Sequence, residues 1–256
     1  MDLLLSLMSA DELRIASDYA FRWLDLKNPL AGPLGCPDAI VASDFLEVAA
    51  RLQNRNQLTL SVAIGELLSG ATKRDLDDIE NCRQFQLPLS VEVLERFDYV
   101  KVALAGSRTN ESWKVLTESL SEQLSDPSKL ILVHYADYLL ASAIDWKSTL
   151  AASRNLGCEY VLIDTFDKKA GQLLDWLSIE DCQQYATEAE NRGLKLSLAG
   201  SLRIEDFRTL EKTGASILGI RGAACLDGSR VSSLCRDRLQ RLSSCFASQK
   251  LAIELG

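Results

Sequence analysis

The regular alternation of short apolar runs with amphipathic stretches restricts this chain to few folds. Three of the amphipathic stretches end just before a glycine, at Gly157, Gly193 and Gly214, a position where glycine commonly ends a helix. Eight apolar runs have the length of buried strands, at residues 3–7, 22–26, 58–64, 99–104, 130–135, 160–165, 195–199 and 216–221. Eight alternating units predict a parallel sheet that closes into a (β/α)8 barrel. We expect a single domain over residues 1–256.

Helices are predicted in the stretches that follow the strands. The first opens after Ser9, which has the side chain of an N-cap residue. The predicted helices lie at residues 10–20, 43–52, 111–124, 145–156, 180–192, 205–212 and 231–242.

One connection is much longer than the others. Residues 66–90 separate the third predicted strand from the helix before the fourth, and they contain mixed charges and a proline. Loops of this length are usually functional lids or disordered segments. Because the segment follows a strand, on the side where such barrels hold their active sites, we expect a lid. A solvated loop without a role is the alternative.

Composition excludes several classes of function. The net charge of −8 argues against a broad nucleic-acid-binding face, although a local basic cluster can still hold a small anion. We find no membrane-length apolar run, no signal peptide and no CxxC pair among seven cysteines. We therefore expect a cytoplasmic protein without nucleic-acid or membrane partners. The single histidine, His134, and the lack of P-loop and GxGxxG motifs predict neither a metal site nor a nucleotide cofactor.

Three lysines lie inside or just after the apolar runs. They are Lys27 in WLDLKNP, Lys101 in YVKVAL and Lys168 after VLIDTF. Lysine is rarely buried without a partner. An amine among apolar walls and other cations has a lowered pKa, and it becomes a nucleophile near neutral pH. This pattern indicates imine chemistry. The alternative is that Lys27 and Lys168 are surface lysines of loops.

The barrel prediction brings these lysines close to several carboxylates. Asp25 shares a strand face with Lys27, since side chains alternate with period two, and we expect the two to pair. Asp164 ends the sixth strand, four residues before Lys168. The carboxyl ends of all strands meet at the catalytic side of such a barrel. Helix caps or loop ion pairs are the alternative roles for the aspartates, and packing is the alternative for His134.

Small residues end the last two predicted strands. The AGS and GIRGAA segments predict a phosphate site, because loops at these positions of the fold often bind phosphate through backbone N–H groups. Tight turns are the alternative reason for the glycines. The candidate substrate- and phosphate-binding residues are Asp137, Gly200, Ser201, Arg221 and Gly222.

Six motifs occur in the order typical of one known family. LDLKNP, YVKVAL, YAD, IDT followed by Lys168, LAGSL and GIRGAAC give the chain a resemblance to the (5-formylfuran-3-yl)methyl phosphate synthase family over nearly its whole length. The resemblance implies a fold like that of class I aldolases. It also implies a phosphate-eliminating carbon–oxygen lyase, which condenses two glyceraldehyde 3-phosphate molecules into (5-formylfuran-3-yl)methyl phosphate for methanofuran biosynthesis.

The same resemblance implies roles for the candidate residues. Lys27 would form the imine and Lys101 would transfer protons, supported by Asp25, Asp164 and Lys168. Two departures from the family pattern are expected near the substrate mouth, Glu66 with the longer segment after it and His134 in place of a small residue. They leave open a class I aldolase for another phosphorylated aldehyde or ketose, and a non-catalytic barrel that binds a phosphorylated metabolite. A homo-oligomer is also left open.

Overall fold

Eight parallel strands form a closed barrel. The computed structural model describes residues 1–69 and 87–254. Each strand pairs in parallel with the next in sequence, and the last pairs with the first, so the predicted (β/α)8 barrel is confirmed. The strands are β1 Asp2–Leu7, β2 Trp23–Leu26, β3 Thr59–Glu66, β4 Tyr99–Ala103, β5 Leu130–Tyr135, β6 Tyr160–Asp164, β7 Lys195–Leu198 and β8 Ile217–Ile220.

Helices surround the barrel in the described part of the chain. They are α1 Ala10–Ala16, α2 Ala39–Ala50, α3 Val91–Glu95, α4 Trp113–Gln123, α5 Trp146–Asn155, α6 Leu173–Trp176, α7 Ile179–Glu190, α8 Phe207–Leu210 and α9 Arg236–Glu254. None of the helices in residues 1–69 and 87–254 combines the length and apolarity needed to cross a membrane.

Side chains cap several helices at the expected type of residue. Ser9 Oγ accepts a hydrogen bond from the Glu12 N–H at the start of α1. Ser178 and Asp181 form a reciprocal capping box at the start of α7. Such caps satisfy backbone N–H groups that have no partner within the helix, and they fix where each helix begins above its strand.

Some predicted helix bounds were wrong. The predicted helix 43–52 begins four residues earlier, because Asp38 supplies the first carbonyl of α2 to the Ala42 N–H. The predicted helix 231–242 begins only at Arg236, since the preceding residues form 3-10 turns and an isolated bridge between Cys225 and Leu234. Helix α6, in the loop after β6, was not predicted.

The predicted lid, residues 66–90, lies largely outside the described residues, and its role stays a prediction.

Two apolar layers result from the alternation of side chains along each strand. One set faces the helices, and the other fills the lumen at the amino ends of the strands. There Trp23 stacks on Tyr99 at a ring distance of 5.1 Å, and Tyr160 meets Trp23 edge-on at 5.3 Å. Such aromatic pairs add about 0.5–1.5 kcal/mol each beyond their buried area. This plug closes the lower lumen and leaves the polar residues at the carboxyl ends.

Candidate active site

A buried ion pair joins Lys101 of β4 to Asp25 of β2. The Lys101 Nζ lies 2.5 Å from Asp25 Oδ1, and the side chains are 4% and 0% exposed. Ser61 donates to Oδ1 of Asp25 at 2.8 Å and Ser6 donates to Oδ2 at 2.9 Å. Both carboxylate oxygens are therefore satisfied, as a buried charge requires. The predicted pairing of Asp25 with Lys27 was wrong, because Lys101 of β4 reaches this carboxylate within the lumen, past the intervening strand β3.

Lys27 follows β2 directly and lines the cavity above it. Its amine has no carboxylate within 4 Å in the described part of the chain. Burial lowers its pKa from 10.5 to about 8, a shift that Asp164 and Asp25 oppose and that Lys101 and Lys168 reinforce. At pH 7 about a tenth of such an amine is unprotonated. This is the protonation behaviour that a nucleophilic lysine needs.

Asp164 lies between two of the lysines. Its carboxylate contacts the Lys168 amine and accepts the Thr165 N–H at 2.8 Å. Burial alone would raise the pKa of Asp164, but the charges of Lys168 and Lys27, together with the hydrogen bonds from Lys168 and Thr165, lower it. Asp164 therefore stays ionised, and its charge acts on the amine of Lys27.

A cavity of about 790 Å³ opens at the carboxyl ends of the strands. Eight of the ten predicted site residues line it: Lys27, Lys101, Asp164, Lys168, Gly200, Ser201, Arg221 and Gly222. Asp25 lies beneath it, bonded to Lys101. The convergence at one end of the barrel is as predicted, whereas the roles stay predictions. In the residues described, no cluster of three or more histidine, cysteine, aspartate or glutamate side chains could hold a metal ion.

Asp137 supports a loop of the protein. Its two carboxylate oxygens accept the N–H groups of Phe166 at 2.7 Å and Asp167 at 2.8 Å. The side chain is buried and is not part of the cavity wall. Both oxygens thus hold the segment between Asp164 and Lys168, which favours a positioning role over the predicted contact with substrate.

The guanidinium of Arg221 is also occupied by the protein. It forms a two-pronged ion pair with Glu12, at 2.8 and 3.1 Å. Its other N–H groups donate to the carbonyl oxygens of Ser6, Arg230 and Ser232. Because these contacts use the donors of Arg221, the predicted phosphate contact has no support in the geometry of its side chain.

Gly200 after β7 and Gly222 after β8 lie where a side chain would crowd neighbouring atoms. Gly200 has φ +116°, and an added Cβ would lie 3.0 Å from Thr165 Cγ2. At Gly222 an added Cβ would lie 2.7 Å from the Gly228 carbonyl oxygen. Both glycines therefore meet a local packing requirement, and the predicted phosphate site at these two loops stays a prediction. Ser201 is exposed at the cavity wall with φ +56°.

His134 faces the helices, away from the cavity. Its ring packs against Trp146 and Tyr138, with Nδ1 3.5 Å from Thr149 Oγ1. Burial lowers its pKa to about 4, so the ring is neutral at pH 7. The expectation that His134 lies near the substrate mouth was wrong, because the alternation of β5 turns Tyr135 into the lumen and His134 outward.

Sequence reasoning missed a second polar pair, formed by the half-buried Glu66 and the buried Tyr135. The Tyr135 hydroxyl donates to Glu66 Oε1, and Oε2 accepts the Ala105 N–H at 2.9 Å. The pairing of β3 with β4 shifts between Ala63 and Glu66, and Gly65 there has φ +90°. Such bulges re-aim side chains beside active sites. The bulge directs Glu66 inward, and Gly65 is its only signal in the sequence.

The fold and the cavity place this chain among the (β/α)8-barrel enzymes that work at the carboxyl ends of their strands. A family model described as 4-HFC-P synthase matches residues 3–243, and the chain belongs to that family. It is 35% identical over 210 residues to a (5-formylfuran-3-yl)methyl phosphate synthase of Methanobrevibacter smithii, covering 81% of this chain and 82% of the relative.

A second relative agrees with this membership, and a solved structure agrees with the fold. The synthase of the same name from Methanopyrus kandleri is 29% identical over 242 residues, covering 93% of this chain and 95% of the relative. The solved structure of a 3-hexulose-6-phosphate synthase has a TM-score of 0.54 at 15% identity, covering 94% of this chain and 99% of that one. The structural likeness concerns the fold alone.

Proposed function

We propose that this chain condenses two molecules of glyceraldehyde 3-phosphate into (5-formylfuran-3-yl)methyl phosphate, with release of phosphate and water, through an imine on Lys27. The reaction would supply a furan building block of methanofuran-type cofactors. Family membership supports the synthase activity, and the lysine geometry supports the imine mechanism. In this scheme the enzyme is a phosphate-eliminating carbon–oxygen lyase.

The position of Lys27 is the observation that carries the proposal. Its amine lines the cavity without a carboxylate partner in the described residues, and its pKa is lowered to about 8 by burial. Lys101 and Lys168 are each held by an aspartate. Lys27 is therefore the amine best prepared to add to an aldehyde carbon, with loss of water, to give a protonated imine.

An imine at C1 of the triose phosphate makes the proton on C2 acidic. Removal of that proton by a general base gives an enamine. The electron pair of the enamine then expels phosphate from C3, and the carbon–oxygen bond breaks as the imine re-forms. One phosphate leaves in this way, while the second substrate molecule keeps its phosphate in the product.

Lys101 is the proposed proton-transfer partner. It lines the cavity beside Lys27, and its contact with Asp25 fixes the position of its amine. An ammonium group carries three N–H donors, so the bond to Asp25 leaves others for the substrate. Asp25, held in turn by Ser6 and Ser61, positions Lys101. Asp164 and Lys168 form the facing wall.

The test is incubation with glyceraldehyde 3-phosphate, with mass spectrometry of the products and of borohydride-treated protein. The furan product, equimolar phosphate and a reduced adduct on Lys27 are expected. Carbon–carbon bond formation without phosphate release would favour the aldolase alternative. Binding without any adduct would favour the non-catalytic barrel, and an adduct on Lys101 or Lys168 would overturn the assignment of Lys27.

A further inference from the structure

Arg230 connects the loop after β8 to the loop that follows Lys27. Its Nη2 donates to the carbonyl oxygen of Pro29 at 2.5 Å and to that of Gly32 at 3.2 Å. Its own carbonyl accepts a hydrogen bond from Nε of Arg221. Both the backbone and the guanidinium of Arg230 are thereby fixed relative to Lys27.

The other terminal nitrogen of this guanidinium is unused. Nη1 of Arg230 is buried and has no hydrogen-bond partner in the part of the chain that the structure describes. The residue lines the same cavity as Lys27 and Lys168. A buried donor on a cation is costly to leave unpaired, so a ligand of the cavity is the natural acceptor.

The pattern of charge in the cavity indicates an anionic ligand. The charges of three cavity cations are compensated by carboxylates: Lys101 by Asp25, Lys168 by Asp164 and Arg221 by Glu12. Among residues 1–69 and 87–254, the half-buried cavity cations Lys27, Arg230 and Arg238 have no such partner within 4 Å.

The cations on the outer wall of the cavity differ from Arg230 in exposure. Lys169, Arg203 and Arg241 are exposed to solvent, where water screens their attraction for an anion. The uncompensated positive charge of the half-buried cavity cations thus comes from Lys27, Arg230 and Arg238, and in the described residues Arg230 is the one with a buried guanidinium nitrogen that lacks a hydrogen-bond partner.

We propose that Arg230 binds the phosphate monoester of the substrate molecule whose carbonyl carbon reacts with Lys27. A guanidinium binds phosphate with directed, charge-assisted N–H donors. The bonds from Nη2 to the carbonyl oxygens of Pro29 and Gly32 hold the guanidinium of Arg230 against the loop that follows Lys27. That loop therefore sets the distance between the group that binds the phosphate and the amine that binds the aldehyde carbon.

The identity of the substrate rests on the proposed function, whereas phosphate binding by Arg230 does not. The first test is therefore titration of the full chain with inorganic phosphate by calorimetry. Arg230→Gln should weaken binding about tenfold or more, the scale of a hydrogen bond to a charged group. The matched control is Arg241→Gln, an exposed arginine at the edge of the same cavity, which should change the affinity less than about twofold.

The second test separates the phosphate from the aldehyde. Borohydride trapping on Lys27 is measured with glyceraldehyde 3-phosphate and with glyceraldehyde, which lacks the phosphate. Arg230→Gln should reduce trapping of the phosphorylated aldehyde and leave trapping of glyceraldehyde unchanged. An equal loss with both would mean that Arg230 only positions the Lys27 loop, and would overturn the proposal.

Thermal unfolding checks that each variant is folded. A second variant, Arg230→Lys, keeps the positive charge but loses the planar arrangement of donors of the guanidinium. That variant should bind phosphate with intermediate affinity. Unchanged phosphate affinity in both variants would overturn the proposal, and so would an equal loss in Arg241→Gln. Failure of wild-type protein to form any imine would instead refute the proposed function, while the phosphate titration would still decide the role of Arg230.

Discussion

The amine of Lys101 lies 2.5 Å from Asp25 Oδ1, although Asp25 is two residues from Lys27 in the chain. This contact gives Lys101 a carboxylate partner that Lys27 lacks in the described part of the chain. Lys101 is held in place by a carboxylate, and Lys27 is left with a lowered pKa. The contact joins β2 to β4 within the lumen, past β3, so proximity in the sequence is a poor guide to ion pairs at this site.

The rate of imine formation should depend on pH through Lys27. Only the unprotonated amine adds to an aldehyde, so the initial rate of reductive trapping should rise through a midpoint of about pH 8 and then level off. Asp164 raises the pKa of Lys27, so Asp164→Asn should move the midpoint to lower pH. Glu205→Gln, which removes an exposed carboxylate of the cavity wall, is the control. A midpoint near 10.5 in wild-type protein would contradict the assignment.

Lys101→Arg should impair turnover more than binding. Arginine keeps the charge beside Asp25 but cannot release its proton. Loss of general acid–base catalysis typically lowers kcat by about two orders of magnitude or more, while phosphate affinity should stay nearly constant. Steady-state kinetics and phosphate titration measure the two effects, with Lys114→Arg on the surface as control. Turnover close to that of wild type would make Lys101 a structural residue.

Lys27→Met should stabilise the folded protein at pH 7. The pKa of Lys27 is about 8 in the folded state against 10.5 for an ordinary lysine, a difference worth up to about 3 kcal/mol. The unfolded chain binds the proton more tightly, so the penalty applies below pH 8 and disappears as pH rises to 10.5. Urea unfolding at pH 7 and pH 10.5 tests this prediction. The exposed Lys169→Met is the control, and equal effects of the two variants would contradict it.

Tyr135→Phe should destabilise the fold. The Tyr135 hydroxyl donates to Glu66, whose pKa is already raised by burial. Removing the hydroxyl leaves a carboxyl oxygen of the half-buried Glu66 without this donor, which costs about 1–3 kcal/mol. Thermal and urea unfolding measure the loss. Tyr138→Phe, on the same segment, should change stability by less than about 0.5 kcal/mol, and a similar loss there would show that the Glu66 contact is not the cause.

The apolar runs were sufficient to place all eight strands, because parallel strands buried on both faces are nearly continuous in hydrophobicity. The mid-strand position of Lys101 was likewise informative, since a charge between valines must face the lumen. Contacts between distant segments were not predictable. The bulge that turns Glu66 inward, the use of Arg221 by Glu12 and the anchoring of Arg230 on Pro29 depend on register and loop paths, which leave no periodic pattern in the sequence.

Activity should survive removal of metal ions. The protonated imine on Lys27 would withdraw electrons from the reacting carbon, which is the role that a metal ion performs in metal-dependent enzymes. Protein treated with a chelator and then dialysed should release phosphate from glyceraldehyde 3-phosphate at the untreated rate, in step with the growth of furan absorbance. The control is the same treatment of Lys27→Met, which should be inactive throughout. Loss of wild-type activity on chelation, restored by a divalent cation, would replace the lysine mechanism with a metal-assisted one.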